Sequence, residues 1–364
     1  MQILFIVFLV SGLAYLLFAL RFFLPLAFKK GDTDSSNGGE SGLSLIVVVH
    51  DQFEPLKEFL DMMSLQSMKN FEVIVVDNCS NDETYDFLLE KKKHQDNLKV
   101  VTLKQVPEHL SSYKYSLTLG VKAADYDRVL VTEVNCRPES EKWLEKYDKG
   151  FDDKTNFVLG YSRKMDGVSK LLWFDNVMDQ AMMMSMADQN RPYKGDICNI
   201  GFRKTFYLGK NVYSAWQGLI GGEGELLINS FAKGKDTKAL FGEPFMLQYS
   251  PTSKKDYIKQ KIYQIHLSKF FKFKDKLRLS AFFLSKVLFW SLLIILLALR
   301  YKTIEVMGCY LGIMVCLTVV GGVGIRRVDG KLKAWMWPVF DLLHTVYYAY
   351  ICIRAFFSKE IKWS

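Results

Sequence analysis

The chain begins with an uncharged run. Gln2 to Leu20 holds no acid and no base, and Arg21, Lys29 and Lys30 follow it. Three further apolar runs lie near the other end, at Leu279–Leu299, Ile304–Ile325 and Trp335–Phe357. A helix rises about 1.5 Å per residue, so a hydrocarbon core about 30 Å thick needs roughly 20 such residues. All four runs reach that length. The first predicts an uncleaved anchor. A cleaved signal peptide wants a basic start and a small-residue cleavage site, and neither is present. The last run contains Asp341 and His344. It reads either as a span whose ionisable groups face a bundle interior or as a re-entrant or interfacial helix.

Between the runs the periodicity changes. A polar, Gly/Ser-rich tether occupies 29–42. Leu43–His50 is a continuous β-branched stretch and predicts a buried strand. Glu54–Met68 carries apolar residues at helical spacing. Phe71–Lys91 predicts a second buried strand, a polar turn and a helix. Lys99–Lys104 predicts a third strand, Ser111–Asp127 a helix and Arg128–Cys136 a fourth strand. Such alternation predicts an α/β domain with a mainly parallel sheet flanked by helices. Just before the second apolar run, His266–Ser280 alternates Phe and Leu with Lys and Arg. That pattern predicts a basic amphipathic helix on an anionic lipid surface, with a solvated helix carrying an ordinary core stripe as the other reading.

Charge placement orients this layout. Lys29 and Lys30 after the first run, and Arg326, Arg327, Lys331 and Lys333 after the third, put both flanks in the cytoplasm. The expected organisation is an anchor at 1–28, a linker at 29–42, a cytoplasmic domain at 43–265, an interfacial helix at 266–279 and membrane helices at 280–358. Of 364 residues, 49% are hydrophobic and 24% charged, which excludes general disorder and suits spans joined to a water-soluble domain. The net charge of +9 is largely explained by lipid-facing lysines. No zinc finger or RNA-binding aromatic motif argues for nucleic acid. The six cysteines show no metal-ligand spacing, so unpaired thiols in a reduced compartment are expected.

Two acidic turns close predicted strands: Asp77 and Asn78 after VIVV, and Glu133 and Asn135 after VLVT. Ligands of parallel sheets bind beyond strand carboxyl ends. A carboxylate there either caps the next helix or meets a base, a ribose or a hard cation.

Four segments in order then carry a resemblance. SLIVVVHDQFEPLKEFLDMMSLQSMKNFEVIVVDNCSNDET, AADYDRVLVTEVNCRP, YKGDICNIGFRKTFY and GGEGELLINSFAKG together resemble a membrane-anchored family 2 glycosyltransferase of the GT-A fold. The resemblance runs from Leu43 to about Tyr263. It implies that Asp77 meets the nucleotide base, that His50, Asp51 and Asn78 border the same pocket, and that Asn199 lies in the segment beside donor and acceptor. Glu133 and Asn135 take the two Asp-x-Asp positions, with a divalent metal, Mg2+ or Mn2+, against the diphosphate. Glu223 or Glu225 is the implied catalytic base. Gln260 and Tyr263 lie on the acceptor and membrane side.

The chain departs from the family pattern in three places. Asn135 lacks a charge, Gly224 stands where an acid is usual, and Tyr263 and Gln264 replace an Arg and a Trp of processive members. The implied function is inverting transfer of one sugar from a nucleotide-diphosphate sugar to a lipid-linked or other membrane acceptor, by an integral membrane protein whose catalytic domain faces the cytoplasm. The alternative is a decayed transferase fold that serves as a binding or scaffold partner.

Overall fold

In a computed structural model of the protein, residues 1–28, 41–164, 169–212, 216, 218–241, 246–248, 253–326 and 333–358 are described. Most of the expected linker and the basic pair Arg327 and Lys331 lie outside them. In chain order the elements are α1 (Gln2–Phe28), β1 (Leu43–Val49), α2 (Phe53–Ser64), β2 (Phe71–Asn78), α3 (Thr84–His94), β3 (Leu98–Leu103), α4 (Ser112–Ala123), β4 (Arg128–Thr132), β5 (Cys136–Pro138), α5 (Trp143–Gly150), β6 (Phe157–Leu159) and β7 (Ser162–Lys164). They continue with α6 (Lys170–Asp188), β8 (Ile200–Arg203), α7 (Lys204–Gly209), α8 (Glu223–Phe231), β9 (Thr237–Ala239), β10 (Met246–Gln248), α9 (Lys254–Leu267), α10 (Phe273–Ala298), α11 (Thr303–Arg326) and α12 (Trp337–Phe357). The chain divides into two compact units. One comprises 1–30, 168–185 and 252–361; the other comprises 31–167, 186–251 and 362–364. Helix α6, within the expected catalytic domain, has its residues up to Ser185 in the first of these units.

The α/β unit is built on a seven-stranded sheet of order β3-β2-β1-β4-β8-β6-β9. Strands β1 to β4 pair in parallel, as do β6 and β9, while β8 runs antiparallel to both its neighbours. The mainly parallel sheet flanked by helices is thus present. All seven residues of β1 are buried, which explains its unbroken apolar reading. Glu72 is the exception inside β2, only 5% exposed. Its carboxylate accepts from Ser44 at 2.6 Å and from the Asp125 N–H at 2.7 Å, and it pairs with Lys99 at 2.8 Å. A buried charge satisfied this fully is tolerated in a central strand. The expected fourth strand is shorter than predicted. It stops at Thr132, and Cys136 starts β5 in a separate sheet of order β5-β10-β7. The intervening turn is one of the two acidic turns noted above.

In the other unit, α1, α10 and α11 are long and apolar enough to cross a membrane, with mean hydropathies of 2.8, 2.3 and 2.1. Their packing is aromatic and close. Phe8 stacks on Phe289 at 5.4 Å, and Phe22 meets Phe282 edge-on at 5.1 Å. The stretch expected to be one amphipathic helix is divided between the end of α9, a 3₁₀ turn at Ser268–Phe270 and the start of α10. There Phe273 and Leu277 are exposed beside Lys269, Lys272 and Lys274. Helix α12 is not among the three apolar candidates. Its ionisable residues turn inward: Asp341 is fully buried and accepts from Tyr15 and Trp290, each at 2.8 Å, while pairing with Lys286 at 2.8 Å. His344 meets Lys286 at 3.1 Å and Asp175 at 3.0 Å. Asp175 also takes the Tyr257 hydroxyl and pairs with Lys261 at 3.0 Å.

Candidate active site

Strands β1 and β2 run in register until Val49 faces Asp77, so their following loops leave the sheet edge side by side. The strand order places β4 on the other side of β1, and the chain switches direction there. Side chains sew the loops together. The His50 Nδ1–H donates to the Asn78 carbonyl at 2.9 Å. The Asp51 carboxylate accepts the Asn81 N–H at 2.6 Å, and the Asp51 N–H donates to Ser80 Oγ at 3.0 Å. Asp51 and Cys79 adopt left-handed backbone, with φ of 51° and 60°. That conformation suits Asp in a tight turn. Asp77 is 1% exposed and accepts the Ser80 N–H at 3.1 Å. Asn78 Oδ1 accepts from Ser112, which brings in the start of α4. His50, Asp51, Asp77 and Asn78 therefore lie in two loops that hydrogen bonds hold side by side. Ser80, Asn81 and Ser112 join them, and nothing in their local sequence set them apart.

A second group gathers beyond β4. Thr132 Oγ1 donates to the Cys198 carbonyl at 2.7 Å and fixes the 3₁₀ turn Ile197–Asn199 against the strand end. Asp196 caps that turn by accepting the Cys198 N–H at 3.1 Å. Glu133, Cys136 and Cys198 then lie with their ligand atoms within 4.8 Å of one another. The divalent-cation expectation keeps Glu133 but changes its companions. Two thiols stand beside it, and Asn135 Oδ1 takes the Cys136 thiol at 3.8 Å. The cysteines are 62 positions apart, so no sequence spacing could have flagged them. Burial pushes the Glu133 carboxyl up to about 7; Asp196 and Glu223 add to the rise, and a hydrogen bond from Cys198 opposes it. The Cys198 thiol is held well above the usual thiol range, first by its hydrogen bond with Cys136 and then by burial.

Asn199 is buried and hydrogen-bonded within the core. Its Oδ1 accepts from Trp143 at 3.2 Å, its Nδ2 donates to the Tyr161 carbonyl at 2.9 Å, and its own carbonyl takes the Tyr147 hydroxyl at 2.8 Å. Its amide is spent on the core and holds the 3₁₀ turn in place.

Helix α8 supplies the two glutamates. Gly221 and Gly222 both have φ of 78°, a left-handed approach that glycine adopts without strain. A Cβ on Gly224 would sit 2.7 Å from both the Gly195 carbonyl oxygen and the Ile197 nitrogen. The missing acid at 224 therefore has a packing cause: the first turn of α8 lies directly on the backbone that carries Asp196 and Cys198. Glu223 is buried, and burial raises its pKa while Lys114 opposes the rise. Burial pushes Glu225 up to about 7, with Lys194 lowering it and Asp196 and Glu223 raising it. Lys114, which sequence reading passed over, is 2% exposed on α4 and donates to the carbonyls of Trp216, at 3.1 Å, and Leu219. Burial lowers its pKa, and the two glutamates pull it back up. Gln260 and Tyr263 lie on α9 in the other compact unit, half-buried and buried.

Residues 44–207 match the family described as glycosyl transferase family 2. Among solved structures, a mannosyltransferase from Pyrobaculum calidifontis in complex with GDP-Man and Mn2+ is similar at a TM-score of 0.59 and 13% identity, over 99% of each chain. TarS 1–349 from S. aureus is similar at a TM-score of 0.44 and 16% identity, covering 85% of this chain and 90% of that one. Its complex with UDP-GlcNAc gives 0.43 and 15% over the same shares. At 13% identity the likeness to the Pyrobaculum mannosyltransferase is one of fold. No curated protein matches the sequence. Among the described residues, the chain that holds this matching segment also has three helices long and apolar enough to span a membrane. Its strand-end loops, Glu133 turn and α8 glutamates all lie in the α/β unit.

Proposed function

We propose that this protein transfers one sugar, with inversion, from a nucleotide-diphosphate sugar to a lipid-linked acceptor at the membrane. The observation that carries the reading is the half-buried carboxyl of Glu225 at the start of α8, which desolvation pushes up to about 7. A base is most effective when its pKa lies near the working pH. In this reading Glu225 takes the proton of the acceptor hydroxyl, and the oxygen attacks the anomeric carbon in line. The bond to the diphosphate breaks, and the nucleoside diphosphate leaves with the electron pair. Asp77 receives the base of the nucleotide, with His50, Asp51 and Asn78 bordering that pocket. Glu223, paired electrostatically with Lys114, shapes the field around Glu225. Gln260 and Tyr263, on α9, are assigned to the acceptor in this reading. A relative by fold, the Pyrobaculum mannosyltransferase, was solved with GDP-Man and Mn2+, which supports donors of this class.

The scaffold alternative drew on Asn135, Gly224 and Tyr263. Close backbone packing accounts for the glycine at 224, which weakens one of those three supports. The test is kinetic. Glu225→Gln should lower kcat by about 10²-fold or more and leave donor binding nearly unchanged. Asp77→Ala should raise the donor KM with little change in kcat, because a contact to the base is made equally in ground and transition states. Full turnover in Glu225→Gln, or no calorimetric binding of any nucleotide-diphosphate sugar to the wild type, would remove the reading.

A further inference from the structure

We infer that Glu133, Cys136 and Cys198 form a binding site for a thiophilic divalent cation, Zn2+ by its chemistry. Their ligand atoms already lie within 4.8 Å of one another. Around a tetrahedral zinc ion, with bonds of about 2.3 Å to sulfur and about 2.1 Å to oxygen, ligand atoms sit roughly 3.5–3.8 Å apart. Closing the set needs side-chain shifts of about 1 Å, which small χ1 adjustments supply. Two thiols and one carboxylate are a borderline-soft donor set. Mg2+ and Mn2+ prefer oxygen, whereas thiolates select zinc-like ions.

Two small buried cysteines are also ordinary core material, and both belong to the hydrophobic cluster around Trp143 and Tyr147. A core pair, however, needs no carboxylate, and here the Glu133 carboxylate lies within 4.8 Å of both thiols. A second observation points the same way. The Tyr113 hydroxyl is buried and has no hydrogen-bond partner among the described residues. Burial raises its pKa, and the ionisable groups that add to the rise are Glu133, Glu223, Cys198 and Cys136. An orphaned buried hydroxyl costs about 1–3 kcal/mol, which a water or oxygen ligand in the fourth position of the ion would recover. The ligands come from the turn after β4 and from the 3₁₀ turn, so the ion would tie those two segments together. Binding would expel the thiol protons, since only thiolates ligate. The inference rests on this ligand geometry and not on the transfer reading.

The test uses the full-length protein in detergent, stripped with a chelator and titrated with Co2+. The expected result is a thiolate-to-cobalt charge-transfer absorption that saturates at one equivalent, is displaced by Zn2+ and resists Mg2+. It should persist when Cys79, Cys309, Cys316 and Cys352 are all replaced by Ser. It should vanish in Cys136→Ser and in Cys198→Ser, and Glu133→Gln should weaken the metal about tenfold or more. Zn2+ should raise the melting temperature of the wild type and of the four-serine variant. Absence of the band in the wild type, its loss in the four-serine variant or its survival in Cys136→Ser/Cys198→Ser would overturn the inference. Should the double variant fail to fold, the four-serine variant and Glu133→Gln still decide. Donor titrations in chelator keep this outcome separate from the transfer reading.

Discussion

At the scale of single residues, Glu225 makes the sharpest statement, because its raised pKa has a sign. Its carboxyl binds a proton more tightly in the folded chain, at about 7, than at the ordinary 4.5. Stability from this group is therefore fully present below about pH 4.5 and is lost as pH rises through about 7. The neutral isostere Glu225→Gln should match wild type near pH 4 and exceed it at pH 8, by about 1–3 kcal/mol on the scale of 1.36 kcal/mol per pKa unit. Thermal melts of both proteins across that range are the measurement; a variant no more stable than wild type at pH 8 would show that no charge is buried there. Activity should move the opposite way in the wild type, rising with pH through about 7 as the base deprotonates. Gly224 gives a second residue-scale expectation. Gly224→Ala forces a methyl against two backbone atoms at 2.7 Å and should cost about 1–3 kcal/mol, with Gly224→Asp costing more. Restoring the family's acid at 224 should thus lower both melting temperature and turnover; a gain in activity would contradict the packing account.

At the scale of elements, α12 is held by its polar side chains. Asp341 joins it to α1 through Tyr15 and to α10 through Lys286 and Trp290, and His344 joins it to α6 through Asp175. Ion pairs enclosed this deeply are costly to break and easier to replace whole. Lys286→Met should lose about 3–5 kcal/mol by leaving Asp341 without its counter-ion. Adding Asp341→Leu should recover much of the loss. Melting of the purified variants in detergent decides, and a double variant no better than the single one would mean the pair is not the unit that matters. Small residues set the spacing of the same helices. A Cβ on Gly324 would come within 2.5 Å of the Phe23 carbonyl, so α11 lies against α1 with no room for a side chain.

At the scale of the whole molecule, the expectation is topological. The basic flanks Lys29 and Lys30 predict that the chain after α1 begins in the cytoplasm. A cysteine substituted within 32–40 should resist an impermeant thiol reagent added to intact cells and react once the cells are opened. Labelling from outside would reverse the orientation.

The sequence by itself determined the elements whose pattern is local. A parallel strand buried on both faces must read as a continuous β-branched run, and an apolar helix must read as a long uncharged one, so β1, β2, α1, α10 and α11 were legible. The acidic turns were legible for the same reason, since polar residues closing a buried strand stand out along the chain. Tertiary structure alone decided what depends on distant neighbours. It brought Cys136 to Cys198 across 62 positions, committed the Asn199 amide to Trp143 and Tyr161, placed Lys114 near two glutamates, and gave Asp341 and His344 partners on other helices. It also ended β4 at Thr132, because the neighbouring 3₁₀ turn takes the Thr132 hydroxyl there and the chain crosses to a second sheet. Side-chain spacing reports only neighbours within a turn of helix or a step of strand. Burial, charge pairing and ligand sets are properties of the packed chain, and they arise only once those local elements meet.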